Sequence, residues 1–351
     1  MALPSSGQIT LNQVNVELGN SGTAQISMND SAVRALFGIA SGEIEMSDGY
    51  GKSNEFSFTI SSTTQEANLS SLASSAGWDG TSALVCNINS GVTLWSDDIA
   101  TGGLTISGSY PGGVTVNNSG SIMGMGGACG YDNGTSRPGA PTPVSNRDGN
   151  PAGPAINATT SSTLTVNNNS GAYIAGGGGG GAYILGGGGA GGGYGGQNGY
   201  YNGSNAYGGV GGSLGNSGTN GNFPYSGVPN HGSIGSGGGA GGGGGGFTIN
   251  NVGGTNYGYQ AFGGGGGRIL PGSGGAAGGS NVGYGGGAGG SAGNVGGLAT
   301  SPGGGGGGGW GATGGAHAGG NGNRPGGTAG EAIAYSGSYT LSNSGTIYGA
   351  T

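Results

Sequence analysis

The feature that most constrains this chain is a glycine-rich tract over residues 171–330. Of its 160 residues, 75 are glycine, and the only charged ones are Arg268 and Arg324. Runs without any side chain occur at 176–181, 241–246 and 303–309. Such runs lack the apolar side chains of an ordinary core, and glycine loses more backbone entropy on folding than other residues. The tract therefore either stays unfolded or adopts an unusual fold.

Two interpretations of the tract are open. Glycine-rich sequences commonly form flexible linkers. Against a linker, the runs are nearly pure glycine and alanine, and ten tyrosines, three phenylalanines and Trp310 separate them. The alternative is a lattice of polyproline-II-type helices, which have three residues per turn and no internal hydrogen bonds. Without side chains, neighbouring helices can approach backbone to backbone and satisfy each other's amides. The sequence favours this lattice over disorder, and the absence of a G-X-Y period excludes collagen.

Composition excludes several functions. Only 5% of the 351 residues are charged, and the formal net charge is −7. No basic cluster is present, so nucleic-acid binding is not expected. No run of 18 apolar residues occurs, so membrane insertion is not expected, and the N-terminus lacks the pattern of a signal peptide. Cys86 and Cys129 are interpreted as free thiols in a protein assembled in a reducing cytosol, although their pairing is left open.

Residues 1–53 contain a threefold internal repeat. The motif Ile-Thr-Leu-Asn-Gln at 9–13 recurs as Ile-Ser-Met-Asn-Asp at 26–30 and Ile-Glu-Met-Ser-Asp at 44–48. Each unit is typical of a short strand that ends at a helix-capping residue. A two-turn helix is expected at 31–37, ended by Gly38. A module this small buries little surface by itself, so it is interpreted as a docking module. Its candidate docking side chains are Ile9, Leu11, Ile26, Met28, Leu36, Phe37, Ile44 and Met46.

Residues 54–170 are predicted to form a β-rich (α+β) domain. Alternating apolar residues indicate strands at 55–60, 83–88 and 92–95. A short helix is expected over 68–76, with Asn68 as its N-cap.

A second repeated pattern occurs on both sides of the tract. Segments that alternate apolar residues with Thr, Ser or Asn begin at Val114, Leu164 and Tyr339, and each leads through a Ser-Gly turn to an isoleucine. The alternation is typical of half-buried strands. Because equivalent segments flank the tract, β-solenoid-like stacking of rungs is predicted, with the tract as its largest insertion. Residues 331–351 then supply the closing strands, and the predicted fold class is mainly β and irregular.

Aromatic residues are concentrated in the segments between glycine runs. If each run crosses the domain once, alternate segments fall at one end, which gathers 197–207, 247–262, 280–284 and 316–324. Tyrosine on rigid loops suits recognition of proteins and sugars. The candidate receptor-binding residues there are Tyr200, Tyr201, Tyr207, Tyr257, Tyr259, Phe262, Tyr284 and His317. Packing of these rings over the glycine lattice is the alternative.

The sequence offers little for catalysis. His231 and His317 have no Asp, Glu or Cys near them in sequence, so no metal site, cofactor or nucleophile–base pair is predicted. The pair Asp97 and Asp98 is interpreted as solvated surface. Asp132 and Asp148 lie in a Gly/Pro-rich loop without EF-hand spacing, which disfavours calcium binding. We therefore expect no enzymatic activity.

Several motifs resemble a known family. The segments 78–81, 114–127 and 154–156, together with the tract, look like the glycine-rich tail proteins of tailed bacteriophages. The tract resembles tail-fibre tip adhesins in which glycine-rich motifs form a polyglycine-II sandwich and the variable segments between them form receptor-binding loops. Residues 6–11 with 47–53 resemble an attachment module of phage virion proteins. This module differs from the trimeric-fibre-binding domain of the best-known adhesins.

The resemblance implies a virion component that contacts the host surface. It implies a virion attachment module at 1–53 and a polyglycine-II helix lattice with receptor-binding loops at 171–330. The implied partners are a host outer-membrane protein or surface glycan, other phage tail proteins and further copies of the chain. Assembly in the host cytoplasm and release by lysis would explain the missing signal peptide. A purely structural tail or head decoration protein is the alternative, and ice binding is disfavoured because no regular ranks of Thr or Ala occur.

Overall fold

The structure, a computed structural model, is mainly β with parallel sheets and a few short helices, as the sequence predicts. It describes residues 3–130, 148–182, 186–195, 199–201, 204–206, 209–221, 250–252, 255–259, 263–277, 286–300, 303–318 and 323–351. Within these ranges, no helix has the length and apolar character needed to span a membrane.

The N-terminal module contains three short helical elements. These are α1 (Leu11–Glu17), α2 (Ser31–Phe37) and a 3₁₀ helix (Met46–Gly49). Gly38 ends α2 in the left-handed conformation, with φ of 76°. The residues before each element are extended, but they belong to no strand in the described part of the chain, so the predicted strands at 9, 26 and 44 are wrong.

The threefold repeat of this module is structural as well as sequential. In each unit the backbone N–H of the second residue donates to the side chain of the fifth. The donor–acceptor distance is 2.8 Å each time, for Thr10 to Gln13, Ser27 to Asp30 and Glu45 to Asp48. Each unit therefore closes one helical turn with the same side-chain bond, which explains why these polar residues recur.

Three turns of chain precede the glycine tract, and each contributes strands to parallel sheets. The first contains β1 (Glu55–Ile60), β2 (Thr64–Gln65) and β3 (Ala67–Asn68); the second contains β4 (Ala83–Ile88), β5 (Thr93–Trp95) and β6 (Leu104–Ile106); the third contains β7 (Val114–Asn118), β8 (Ser121–Met123) and β9 (Ile156–Ala158). Helix α3 (Leu69–Ser75) follows β3, and the Asn68 side chain caps it by accepting the Ser71 N–H at 3.1 Å.

The glycine tract interrupts the fourth turn. That turn begins with β10 (Leu164–Asn168) and β11 (Tyr173–Ala175). Three short pairs lie within the tract: β12 (Gly199–Tyr201) with β13 (Ser204–Ala206), β14 (Asn250–Val252) with β15 (Thr255–Tyr259), and β16 (Ala299–Thr300) with β17 (His317–Ala318). Then β18 (Ile333–Tyr335) completes the fourth turn, and β19 (Tyr339–Asn343) and β20 (Thr346–Tyr348) form the fifth.

The turns stack into three parallel sheets in register. The orders are β1-β4-β7-β10-β19, β2-β5-β8-β11-β20 and β3-β6-β9-β18. Leu164 pairs with Val114 on one side and with Tyr339 on the other, so the repeated segments lie side by side. Successive strands such as β4 and β5 lie in different sheets and do not form hairpins. Alternate residues of each strand point inward into one apolar core, which includes Leu84, Ile122 and Ile156.

The glycine runs are extended segments that bond to one another through their backbones. In the run 176–182, residues three apart donate to the same neighbouring segment: Gly177 and Gly180 to 150–153, Gly178 and Gly181 to 187–190, and Gly179 and Ala182 to 312–315. The carbonyls of the same run accept from three other segments, 127–130, 305–308 and 327–330. Six neighbours thus satisfy every backbone group from Gly177 to Ala182. The period of three equals the number of residues per turn of a polyproline-II helix.

Candidate functional site

The glycine runs leave the sheets at one corner. The chain departs after β8 and after β11, and it returns at β9 and β18. Both excursions, 124–155 and 176–332, therefore open between the second and third sheets. The first run of each excursion bonds to the other, since the Gly127 N–H donates to Gly178 O at 2.8 Å.

Five short turns bring the runs back to this corner. Each turn places one apolar residue in a cluster with Met123 of β8 and Ala175 of β11. The five are Ala190, Leu214, Leu270, Ala292 and Trp310. Trp310 is fully buried, and its Nε1 donates to Ile269 O at 3.0 Å. This cluster is an apolar joint between the sheets and the glycine lattice, which we call the sheet-side joint.

Two of the five turns share a motif that sequence reasoning missed. The segments 213–216 and 291–294 both read Ser-x-Gly-Asn, with glycine φ of 75° and 76°. In both, the Asn N–H donates to the Ser carbonyl and the Asn Nδ2 donates to Ser Oγ at 2.8 Å. Such a turn needs glycine at its third position because only glycine adopts this conformation without strain. The signal is visible in the sequence as a recurring tetrapeptide.

The other ends of the runs form the opposite side of the lattice, which we call the free end. Lateral backbone bonds join these ends, for example Gly130 to Gly181, Gly187 to Gly305 and Gly209 to Gly263. Fourteen of the chain positions that border undescribed segments lie here: 130, 148, 182, 186, 195, 209, 221, 263, 277, 286, 300, 303, 318 and 323. At each of these positions the described chain therefore ends at the free end.

This arrangement corrects the predicted alternation of turns between two ends. The prediction assumes that each glycine run crosses the domain once. Tight turns at 190–193, 291–294 and 310–311 instead lie within stretches that were predicted to be continuous, and the turn at 213–216 divides the run 208–221, for which two passes were left open. Each of these turns adds one more crossing of the domain. Segments that were predicted to lie at opposite ends of the domain therefore attach at the same end.

Five of the eight predicted receptor-binding residues lie in the described part of the chain, and three do not. Tyr200 and Tyr201 lie in β12, and Tyr257 and Tyr259 lie in β15. Each of these strands pairs antiparallel with its neighbour in sequence, in stretches that attach at the free end. The remaining aromatic candidates, Tyr207, Phe262 and Tyr284, lie outside the described residues.

The predicted role of His317 needs correction. Its side chain is 1% exposed, and its Nδ1 lies 2.6 Å from Gly303 O. The backbone of His317 also exchanges two hydrogen bonds with that of Arg324. The interpretation of His317 as a receptor contact is therefore wrong, because the ring is enclosed by the glycine lattice.

The predicted docking residues mostly form the core of their own module. Ile9, Leu36 and Phe37 are buried in it. Four more are only partly exposed and pack against that core: Ile26, Met28, Ile44 and Met46. Leu11 is 39% exposed, and Val16 and Tyr50, which sequence reasoning did not select, are 55% and 40% exposed. A buried side chain such as Phe37 cannot contact a docking partner unless the module rearranges.

Cys86 and Cys129 are both buried, and neither forms a disulfide among the described residues. Burial raises the pKa of the Cys86 thiol to about 12. The described ranges contain no group of three or more His, Cys, Asp or Glu side chains suited to a metal ion. Asp148 instead faces Arg324, with 3.8 Å between Oδ1 and Nη1.

A cleft of about 900 Å³ lies beside the sheet-side joint. Its walls come from the loop after β5 and from the sheet-side turns, and they include Trp95, Tyr194 and Arg268. The Arg268 guanidinium carbon lies 4.7 Å from the centre of the Trp95 ring. Arg268 donates through Nε to Gly191 O at 2.8 Å and through Nη2 to Met125 Sδ at 3.0 Å. Burial lowers the pKa of Arg268, and the nearby Asp97 carboxylate opposes this shift.

Three carboxylates line the same cleft: Glu66, Asp97 and Asp98. Glu66 has φ of 50°, in the left-handed region that non-glycine residues rarely adopt. Its Oε1 accepts from Ser96 Oγ at 3.2 Å and from Thr101 Oγ1 at 3.0 Å. These bonds hold the Glu66 carboxylate against the loop after β5.

Comparison with known proteins gives one family and one related structure. Residues 55–227 match the model of the family phage tail fibre adhesin Gp38. No curated protein sequence matches the chain. Among solved structures, the chain is similar to a chain of the gp37-gp38 adhesin tip complex of the bacteriophage S16 long tail fiber, with 18% sequence identity over 99% of both chains and a TM-score of 0.42.

Proposed function

We propose that this chain is a phage tail fibre adhesin of the virion that binds a host-surface receptor through the segments at the free end; the match of residues 55–227 to the model of that family supports this. The single observation that carries this proposal is the separation of the two ends of the lattice. The sheet-side turns are short and bury apolar residues, whereas the segments at the free end are longer and unequal in length. Sequence at the free end can therefore change without disturbing the sheet-side joint.

We propose that the glycine runs are polyglycine-II helices packed in a lattice, and that the three sheets form a β-solenoid that supports them. The period of three in the hydrogen bonds of 176–182 supports the first assignment. The parallel in-register order of the sheets supports the second. Such a lattice would hold the free end rigidly, so that binding there costs little conformational entropy.

The candidate receptor contacts are the tyrosines of β12 and β15 together with Tyr207, Phe262 and Tyr284. Aromatic side chains on a rigid support offer large contact areas with few rotatable bonds. The receptor we propose is an outer-membrane protein or surface glycan of the host. No catalytic activity is proposed for this adhesin.

We propose that residues 1–53 dock the chain on other phage tail proteins. The exposed apolar side chains of the module, Leu11, Val16 and Tyr50, are the best candidates for that contact. Further copies of the chain are an alternative partner for the same surface.

Exchange of free-end segments between related phages tests the proposal. Residues 197–207 and 247–262 would be replaced by the corresponding segments of an adhesin with another host. We expect the phage to gain the donor's host range, while the thermal unfolding midpoint of the purified chain stays unchanged. Unchanged host range and adsorption would contradict receptor binding and favour a purely structural virion protein.

A substitution at the sheet-side joint provides the matched control. Leu214→Ala converts the turn Ser-Leu-Gly-Asn into the Ser-Ala-Gly-Asn of 291–294, which the chain already uses. We expect this variant to lower the unfolding midpoint, because Leu214 packs in the joint. Its host range should remain that of the parent phage. A host-range change caused by Leu214→Ala would show that specificity is not confined to the free end.

A further inference from the structure

We propose that the cleft beside the sheet-side joint binds a neutral saccharide. This site is separate from the free end, and it rests on the proposed function only in that the sugar would come from the host surface. The cleft combines an aromatic wall with carboxylates, one buried guanidinium and backbone groups of glycine turns. Its volume of about 900 Å³ lies within the usual range for small-molecule sites.

The aromatic wall suits the apolar face of a sugar ring. Trp95 and Tyr194 are both partly exposed and both line the cleft. Rings of this kind combine an apolar body with a polar tip, so they contact the C–H face of a sugar while its hydroxyls reach polar neighbours. The Trp95 ring cannot easily turn away, because Arg268 lies over it and the ring also packs against the sheet-side joint.

Arg268 supplies hydrogen-bond donors that suit a polar ligand. The side chain is only 7% exposed, yet it lines the cleft. Its Nε and Nη2 have acceptors, whereas Nη1 has no hydrogen-bond acceptor among the described residues. A guanidinium carries five N–H donors, so those on Nη1 remain available to a ligand in the cleft. A sugar hydroxyl can accept from Nη1 and donate its own proton to a carboxylate.

The charges around the cleft select a neutral sugar over an acidic one. Glu66, Asp97 and Asp98 outnumber the single cation, Arg268. A phosphate or carboxylate on the ligand would meet this excess of negative charge and be repelled. Hydroxyls are favoured because Asp97 and Asp98 are exposed and can accept hydrogen bonds from them.

Glycine keeps this cleft open. A Cβ on Gly192 would lie 2.6 Å from Arg268 Nε, so any side chain there would displace the guanidinium. Gly211 and Gly212 line another part of the cleft without side chains. The backbone of the lattice therefore forms part of the binding surface, as expected where a ligand approaches the main chain closely.

Titration of the purified full chain tests the site. The probe is an oligosaccharide released from the host's surface polysaccharide and made neutral with phosphatase. The untreated phosphorylated form is run in parallel as an acidic ligand, and tetralysine is run as a cationic one. We expect saturable binding of the neutral sugar with a change in tryptophan fluorescence. Asp97→Asn should weaken the affinity about tenfold, because a charge-assisted hydrogen bond becomes a neutral one.

Glu43→Gln is the matched control, since Glu43 is exposed in the N-terminal module. It should bind like the wild type, and the chimaera with exchanged free-end segments should also keep its sugar affinity. Absence of saturable binding, or equal affinities for wild type and Asp97→Asn, would overturn the proposal. Tighter binding of the phosphorylated sugar would also overturn it, as would binding of tetralysine alone. None of these results alters the outcome expected for host range, so the two proposals fail independently.

Discussion

Two glycines illustrate different reasons for the same residue type. A Cβ on Gly178 would overlap the carbonyl oxygen of Gly308, although the φ of Gly178 is outside the left-handed region. Gly215 has φ of 75° but open space around the position of a Cβ. Close approach of two backbones requires the first glycine, whereas a tight turn requires the second.

Replacement of these glycines by alanine should separate the two reasons. Gly178→Ala forces two bonded runs apart, so we expect a loss of at least about 3 kcal/mol in the free energy of unfolding. Gly215→Ala adds only backbone strain, with an expected loss of about 1 kcal/mol. Denaturant unfolding of both variants measures the difference. Equal losses would show that the runs are not packed backbone to backbone.

The two thiols provide a second test at the residue scale. Because burial raises the pKa of Cys86 to about 12, its thiol stays protonated at pH 8 and is a poor nucleophile. Cys129 is also buried. We expect iodoacetamide to label neither cysteine in the native protein and both after denaturation. Mass spectrometry counts the labels, and rapid labelling of the native chain would contradict the burial.

Stacked asparagines connect the strands of the first sheet. Asn118 Nδ2 donates to Asn168 Oδ1 at 2.9 Å, and Asn168 Nδ2 donates to Asn343 Oδ1 at 2.9 Å. In-register parallel pairing makes this possible, because it places equivalent residues above one another. Asn118 and Asn168 are 0% and 1% exposed, whereas Asn343 is exposed, so the row is sealed from water at its first two amides.

Removal of the middle amide should destabilise this sheet. Asn168→Ala leaves the buried amide of Asn118 with fewer partners, and we expect a loss of about 2 kcal/mol in the free energy of unfolding. The matched control is Asn169→Ala, whose exposed amide donates only to Ser119 Oγ. We expect the control to lose less than about 1 kcal/mol. A control as damaging as Asn168→Ala would argue against the buried row of amides.

Sequence patterns predict some elements of this chain better than others. The alternation in Leu164 to Asn168 identifies a strand because its side chains have period two, and the helix cap at Asn68 follows from local chemistry. Strands of two residues, such as β2, carry too few residues to show a period. The burial of His317 depends on runs distant in sequence, so no local pattern reveals it. The apolar residues of the N-terminal module would show the same sequence pattern whether they contact a docking partner or pack inside the module. The pattern alone therefore does not distinguish the two roles.

At the scale of the whole molecule, the free end lies on the side of the lattice opposite its hydrophobic support. The sheets bury the main apolar core, the sheet-side joint attaches the lattice, and mainly backbone hydrogen bonds connect the runs from there to the free end. Residues of the sheets and the sheet-side turns build the core and the joint, so we expect changes at the free end to leave both intact.

The central claim is that backbone hydrogen bonds make the glycine lattice rigid, and amide hydrogen exchange measures this directly. Peptides that cover 176–182 would be followed by mass spectrometry, with Leu164–Asn168 of β10 as the internal reference. Because each amide from Gly177 to Ala182 donates to a neighbouring run, we predict exchange as slow as that of β10. Exchange of 176–182 at the rate of an unstructured peptide, with β10 still protected, would contradict the account.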